Sequence, residues 1–344
     1  MIEWFDVFCV GVVKMSENNA YIRLQNITKW YPNKDGFKVF SAASGKSWIK
    51  AVDDVNLMME KGEILGVIGE SGCGKSTLGR MLTCLEIPTK GDIFIDHMSV
   101  KEMRAKNPKG FRRMVQIIFQ NPFDTFSPRE KIETILLRPL QIHRIGKTRN
   151  ERLQLILDAL DAGGLSPAKD ILNRYPHELS GGQLQRISII RAMSLDPSVI
   201  IADEPVSMLD VSVRSDIINM ILALRQKQQM TIVFISHDIA LTRYISDKIA
   251  VMYLGKLVEC GTADDIVKNP KHPYTIALVS NCGSIHPADA SESITISGDP
   301  PTPIDPGPGC YFAPRCNMAA DECFKHYPEM KNLGGSHTAS CFRI

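Results

Sequence analysis

Short, largely apolar runs alternate along the chain with longer stretches in which apolar residues recur at helical spacing. The runs at 64–68, 198–202 and 231–235 predict buried strands, because a strand covered on both faces needs no alternating polar positions. Apolar residues from Val213 to Leu224 fall on one face of a helix between the last two runs. This alternation is typical of an α/β fold with a mostly parallel sheet.

Further elements surround this alternation. Strands are also predicted at 21–29 and 52–58, and a hairpin is predicted at 248–260. Residues 121–193 are mostly helical in spacing, with a break expected at Pro139, and they predict a helical subdomain inserted into the α/β core.

A glycine-rich loop follows the first apolar run. Gly69 to Thr77 reads GESGCGKST and fits the phosphate-binding pattern G-x-x-x-x-G-K-S/T between a strand and a helix. Glycines let backbone N–H groups face phosphates, and the helix N-terminus adds its positive end. Lys75 is expected to reach the β and γ phosphates and Ser76 to bind Mg²⁺. The nucleotide-binding residues predicted from this loop are Gly69, Ser71, Gly72, Cys73, Gly74, Lys75, Ser76 and Thr77.

An acidic pair ends the second apolar run, where the chain reads VIIADE. Asp203 is suited to hold the Mg²⁺ shell, and Glu204, at the sheet edge, is suited to polarise an attacking water. Many strands end in acidic residues, so the pair alone is equally compatible with a structural role. Its occurrence after a phosphate-binding loop favours the catalytic interpretation.

A second glycine pair opens another helix, in the segment LSGGQLQR. Ser180, Gly181, Gly182 and Gln183 predict a second anion cradle at a helix N-terminus. The alternative is an ordinary helix start capped by Ser180. One nucleotide does not need two cradles in one chain, so the second is expected to serve a nucleotide bound to another subunit.

Together these motifs resemble those of ABC ATPases, whose signature is LSGGQ. The resemblance implies that Gln120 senses the γ-phosphate and binds Mg²⁺, that Asp210 lies in the D-loop, and that His237 is the switch histidine contacting the γ-phosphate. It also implies that Tyr31 stacks on adenine, although the neighbouring Trp30 leaves a merely packed aromatic as the alternative. ATP with Mg²⁺ would lie between two such subunits closed face to face.

Three further stretches resemble the ATPases of oligopeptide and dipeptide importers, and more closely the F-type than the D-type subunit. They read QNPFDTFSPR at 120–129, HPYTIAL at 272–278 and GCYFAPRCNMAADEC at 309–323. Relatives usually carry S-L-N-P where this chain has D-T-F-S, at 124–127, which leaves the substrate open. Peptides are the first expectation; nickel and oligosaccharides, which similar ATPases import, are the alternatives.

The resemblance implies partners, a location and a domain division. The partners are a second ABC ATPase subunit (a D-type sibling or a second copy, with a heterodimer expected), two transmembrane permease subunits and an extracellular substrate-binding protein. The location is the cytoplasmic face of the membrane. The division is an N-terminal tail at 1–20, an ABC ATPase domain at 21–262 with its helical subdomain at about 121–193, and a C-terminal extension at 263–344.

Charge and hydropathy limit the alternatives. The 40 basic and 38 acidic residues leave a net charge of +2, so no global basic field predicts a nucleic-acid partner. A soluble ABC protein acting on nucleic acid or ribosomes is therefore the distant alternative.

No run approaches the roughly 20 apolar residues of a membrane helix. Residues 1–14 carry acidic side chains and no basic leader, and we expect translation to start at Met15.

The C-terminal extension contains a proline-rich segment, which predicts an irregular tail, and it also contains a cluster of four cysteines. Disulfides are disfavoured in the reducing compartment that ATP chemistry implies, and zinc sites usually include a close C-x₂₋₄-C pair that is absent here. A 4Fe–4S cluster accepts more open spacing, and related importer ATPases carry one. The iron–sulfur cluster is the first expectation, with zinc or unligated thiols as alternatives. The four cysteines are Cys310, Cys316, Cys323 and Cys341.

Overall fold

The computed structural model describes residues 20–33, 47–281, 296 and 298–344, so all but the last residue of the predicted tail at 1–20, including the expected start at Met15, lies outside it. The strands are β1 Ile22–Pro32, β2 Trp48–Met59, β3 Ile64–Ile68, β4 Lys90–Ile95, β5 Met98–Ser99, β6 Val115–Ile118, β7 Val199–Asp203, β8 Thr231–Ile235, β9 Lys248–Tyr253, β10 Lys256–Thr262, β11 Lys331–Gly334 and β12 His337–Ala339.

Twelve helices are described between and beyond the strands. They are α1 Lys75–Leu82, α2 Val100–Lys106, α3 Pro108–Met114, α4 Ile132–Ile142, α5 Arg149–Ala162, α6 Ala168–Asn173, α7 Gly181–Met193, α8 Val211–Gln228, α9 Ile239–Ile245, α10 Ala263–Lys268, α11 Pro273–Ser280 and α12 Asp321–Lys325. In the described part of the chain, no helix combines the length and apolar character needed to cross a membrane.

The main sheet has eight strands in the order β11-β12-β10-β9-β3-β8-β7-β6. Its centre is parallel, with β3 between β9 and β8, and β7 between β8 and β6. Every residue of β3, β7 and β8 is buried, which explains why these strands appear in the sequence as unbroken apolar runs. The predicted strands and the mostly parallel sheet are confirmed. Loops at the carboxyl ends of β3, β7 and β8 therefore meet at one edge.

A second sheet, which the sequence analysis did not predict as a unit, is antiparallel with the order β2-β1-β4-β5. Apolar residues of β1, β2 and β4 pack with those of the main sheet and of α1 in one large core cluster, which includes Ile22, Val55, Leu78 and Val233. β1, which carries the candidate adenine-binding aromatic, pairs with β2, and Ala51 of β2 lies against Gly74 of the loop that leads into α1.

The segment at 121–193 forms helices α4 to α7 around its own apolar cluster, which includes Leu136, Ile156 and Leu184. One expectation was wrong, because Pro139 lies inside α4 rather than ending it. Proline removes one backbone hydrogen bond, but the buried leucines on either side of Pro139 hold the helix against its neighbours. The boundaries of the helical subdomain, like those of the other domains, stay predictions.

The C-terminal extension is more regular than expected. Strand β12 pairs with β10, so the end of the chain adds two strands to the main sheet. Glu259 of β10 is fully buried there, and its carboxylate accepts hydrogen bonds from the backbone N–H groups of Lys271 and His272. The same carboxylate lies 2.7 Å from Nε2 of His337 on β12. These contacts hold the extension on the core.

Candidate functional site

The phosphate-binding loop joins β3 to α1, as predicted. Gly74 has φ +102°, and a Cβ atom there would lie 2.0 Å from the carbonyl oxygen of Ala51, so only glycine fits. Lys75 is buried, and its Nζ donates hydrogen bonds to the carbonyl oxygens of Gly69, at 2.7 Å, and Glu70, at 2.9 Å. The ammonium group is therefore held inside the loop that would surround the phosphates.

Two predicted magnesium ligands are in contact. The hydroxyl of Ser76 donates to Oδ1 of Asp203, which ends β7, at 2.9 Å. Burial raises the pKa of the Asp203 carboxyl, and the nearby charge of Glu204 adds to that effect. A divalent cation would supply the stabilisation that water cannot, and Mg²⁺ typically takes one or two protein oxygens beside substrate phosphates. The two residues therefore fit Mg²⁺.

Three predicted catalytic side chains meet at the carboxyl ends of the parallel strands. Nε2 of Gln120 donates to Oε2 of Glu204 at 2.9 Å, and Nδ1 of His237 lies 3.4 Å from the same oxygen. Glu204 adopts φ +46°, an uncommon conformation for a residue with a side chain. Its backbone N–H donates to the carbonyl oxygen of Ile235, which fixes this turn. The carboxylate thus has one amide and one imidazole as neighbours.

The signature residues begin α7. Ser180 and Gln183 form a reciprocal cap, in which the Ser180 hydroxyl accepts from the Gln183 N–H and the Gln183 side chain accepts from the Ser180 N–H. A Cβ atom on Gly182 would lie 2.8 Å from Cγ1 of Val213, so glycine permits close packing. Ser180 and the D-loop residue Asp210 are both exposed. Their role toward a nucleotide of another subunit stays a prediction.

The two candidate aromatics of β1 have different surroundings. The ammonium groups of Lys50 and Lys90 lie 5.1 and 5.2 Å from the centroid of the Trp30 ring, and Nε1 of Trp30 donates to Asp53. Tyr31 has one such neighbour, Nζ of Lys29 at 5.0 Å. Because Trp30 is engaged by the protein itself, these contacts favour Tyr31 as the adenine-stacking residue.

Two residues of the C-terminal extension contact the phosphate-binding loop, and the sequence analysis missed both. The Tyr274 hydroxyl accepts from the Glu70 N–H at 2.8 Å, and the Arg315 guanidinium forms two bonds with the Glu70 carboxylate, at 2.7 and 3.0 Å. The residues predicted for the ATP site did not include any from the extension. The sequence signals were the HPY element and an arginine beside Cys316, but neither indicates a partner so far away in the sequence.

The four clustered cysteines all line one cavity, together with His272 and Phe312. Burial raises the pKa of the Cys310 thiol to about 11 and also raises the pKa of Cys316 and Cys341. Among the described residues, no group of three or more His, Cys, Asp or Glu side chains is arranged to hold a metal ion. The iron–sulfur and zinc expectations are therefore not confirmed.

The chain is similar in sequence to two known protein families and to individual transport proteins. Residues 52–207 match the ABC transporter family model, and residues 258–323 match the model of the oligopeptide/dipeptide transporter C-terminal region. The dipeptide transport ATP-binding protein DppF of Escherichia coli is 42% identical over 319 residues, which cover 93% of each chain. DppF of Haemophilus influenzae is 40% identical over 96% of this chain and 99% of its own.

Solved structures of other proteins share the fold of this chain. The dimeric ATP-binding cassette MJ0796, in a post-hydrolysis state with ADP and Pi, superposes with a TM-score of 0.61 at 28% identity, covering 70% of this chain and 98% of that one. The chain has the fold of an ABC ATPase cassette. It belongs to the family of ATP-hydrolysing subunits of ABC transporters, in the branch that carries the oligopeptide/dipeptide transporter C-terminal region.

Proposed function

We propose that the chain is the ATP-binding and ATP-hydrolysing subunit that powers peptide import through an ABC transporter. The observation that carries this proposal is the joint match to the two family models, with relatives in dipeptide transport that are aligned along nearly the whole chain. Di- and oligopeptides are the proposed substrates, and importers of nickel or oligosaccharides are the alternative systems for the same engine.

The arrangement of side chains supports phosphoryl transfer by positioning and charge neutralisation. Lys75 and the loop N–H groups would bind the β and γ phosphates, while Ser76, Asp203 and Gln120 hold Mg²⁺. The bound Mg²⁺ supplies additional charge neutralisation. Glu204 would orient and polarise the attacking water, with His237 beside it at the γ-phosphate.

The site is proposed to be complete only in a dimer. The exposed cradle at 180–183 would bind the γ-phosphate of a nucleotide held by a second ATPase subunit, and we propose a D-type sibling as that partner. Phe123, which follows the Gln120 loop, is 48% exposed and would face a permease. Two permease subunits and an extracellular substrate-binding protein would complete the complex, and this chain would lie at the cytoplasmic face of the membrane.

The proposed substrate class is tested by purifying the complex from its host through a tag on this chain. We expect two membrane subunits and a binding protein to co-purify, and a di- or oligopeptide to be identified as the binding protein's ligand by mass spectrometry. Peptide-loaded binding protein should stimulate ATP hydrolysis by the reconstituted complex. Stimulation by nickel or an oligosaccharide, with no response to peptides, would reject the peptide assignment and retain the transport role.

We further propose that the cysteine cavity holds a 4Fe–4S cluster. Four thiols from distant positions in the sequence line one cavity, and these four cysteines lack the close C-x₂₋₄-C pair that zinc sites usually include, whereas an iron–sulfur cluster accepts more open spacing. Cys310, Cys316, Cys323 and Cys341 would be the ligands. The cluster would act as a structural link that holds the extension together.

Anaerobic purification is expected to yield a brown protein with absorbance near ~400 nm and about four iron atoms per chain. The Cys316→Ser, Cys323→Ser double variant should lose the iron, because two ligands are removed from the cavity. Cys84→Ser, at a buried cysteine outside the cavity, serves as the matched control and should keep it. Stoichiometric zinc in a colourless protein would replace the cluster with the zinc alternative, whereas metal retained by the double variant would reject the site.

A further inference from the structure

A single loop of the extension, between Cys310 and Cys316, contacts the ATPase core at several points. The Tyr311 hydroxyl donates to Oδ2 of Asp53 at 2.7 Å. The Phe312 ring packs on Tyr253 of the core, with a centroid distance of 5.2 Å, and on Tyr274 and His272 of the extension, at 5.4 and 5.8 Å. Arg315 reaches the phosphate-binding loop itself. We call residues 310–316 the clamp loop.

The contact between Arg315 and Glu70 has the geometry of a strong ion pair. Nη1 lies 2.7 Å from Oε2 and Nη2 lies 3.0 Å from Oε1, and only 9% of the Arg315 side chain and 24% of the Glu70 side chain are exposed. The guanidinium is itself oriented by the Tyr253 hydroxyl at 3.2 Å and the Gly298 carbonyl at 2.7 Å. Two parallel bonds from a positioned arginine fix both the direction and the charge of a carboxylate.

Glu70 is held through every polar group that it has. Its carboxylate is bound by Arg315, its N–H donates to Tyr274, and its carbonyl accepts from Lys75. Two of these three partners belong to the extension, and the third is the lysine that would bind the phosphates. The position of Glu70 is therefore determined jointly by contacts with the extension and by its contact with Lys75 of the phosphate-binding loop.

The charge of Glu70 has a consequence for an anionic ligand. A carboxylate in a phosphate-binding loop lies close to where the negative charges of ATP would be, and like charges repel strongly where solvent is scarce. Arg315 neutralises that carboxylate and directs it toward the extension. Removing only the arginine would leave an uncompensated negative charge beside the phosphates and would loosen the loop.

We propose that Arg315 is a positioning residue of the ATP site: the clamp loop holds the phosphate-binding loop through Glu70, so that docking of the cysteine-bearing extension sets nucleotide affinity. This inference rests on the ATP site proposed above. Because binding energies are reciprocal, MgATP must in turn stabilise the docked clamp loop.

The test compares equilibrium binding of a labelled, non-hydrolysable ATP analogue to the full-length protein and its variants. Arg315→Gln is expected to weaken binding about 10-fold, within the usual range of coupling between sites. Arg315→Lys, which keeps the positive charge, should retain most of the affinity. The Arg315→Gln, Glu70→Gln double variant should recover most of the loss, because it also removes the unpaired carboxylate.

Lys325→Gln is the matched control, since it removes an exposed positive charge from α12 of the same extension and should leave binding unchanged. Removing the unpaired Glu70 carboxylate would also repair a folding defect, so a thermal unfolding curve of nucleotide-free Arg315→Gln is needed to separate positioning from folding. We expect this variant to be fully folded at the assay temperature, and a loss of affinity that follows partial unfolding would overturn the inference. Unchanged affinity in Arg315→Gln, or a double variant no better than Arg315→Gln alone, would overturn the inference. Failure of the wild type to bind, by contrast, would reject the ATP site itself.

Hydrogen exchange provides the reciprocal measurement. Addition of the analogue should slow amide exchange in residues 310–316 of the wild type, and this protection should disappear in Arg315→Gln at saturating analogue. Protection of equal size in both proteins would show that nucleotide binding reaches the extension by a route other than Arg315, and would overturn the inference.

Discussion

Glu204→Gln is expected to reduce ATP turnover by about 10² to 10⁴ while leaving MgATP binding intact, because the amide cannot accept the proton of the attacking water. Glutamine preserves the length of the side chain, and the neighbouring Gln120 amide and His237 ring can still contact its oxygen. ATP that is bound and not hydrolysed should accumulate between two subunits. Turnover is measured by phosphate release, and trapping by the appearance of a dimer on size-exclusion chromatography with MgATP.

Lys75→Ala is the informative contrast, because its side chain lies in the loop rather than at the attacking water. It should lose nucleotide affinity itself, so that neither turnover nor a trapped dimer is seen. Near-normal turnover in Glu204→Gln would exclude this carboxylate as the group that activates water. Loss of nucleotide binding in Glu204→Gln would show instead that its main role is to maintain the site.

The isolated subunit should be a weak ATPase, with turnover about 10²-fold below that of the assembled pair, because each site lacks the second cradle that stabilises the γ-phosphate. Specific activity should therefore rise steeply with protein concentration or on addition of the sibling subunit. It is measured by phosphate release over a dilution series at saturating MgATP.

The cradle itself is tested with a variant at its centre. Ser180→Arg places a bulky cation in the exposed cradle and should abolish the gain in activity on association, while binding of ATP by the isolated chain is retained. Asn332→Arg, at an exposed position on β11 far along the chain, is the matched control. Full activity that is independent of concentration would contradict a site shared between subunits.

The parts of the site that the sequence predicted are those encoded in contiguous segments. β3, β7 and β8 are buried on both faces, so each appears as an apolar run, and the catalytic residues follow directly after a strand or open a helix. In a parallel sheet such positions share one edge, which is why Gln120, Glu204 and His237 meet. Local sequence and sheet geometry together account for this agreement.

The parts that were missed depend on contacts between distant segments. Arg315 and Glu70 are separated by 245 residues, and nothing near either residue in the sequence specifies the other. The pairing of β12 with β10 and the helical conformation of Pro139 likewise result from tertiary packing that overrides local preference. Long-range packing also brings the four cysteines to one cavity, and their spacing alone left several kinds of site open.

The two strands that the extension adds to the main sheet also determine which strand lies at that edge of the sheet. Without β12, the backbone groups on one side of β10, a seven-residue and mostly buried strand, would be open to pairing with another chain. The edge strand is instead β11, which has four residues, is exposed throughout, begins with Lys331, ends with Gly334 and is followed by Gly335. A short, polar edge is a poor template for intermolecular β-pairing, so the extension also protects the ATPase core from aggregation.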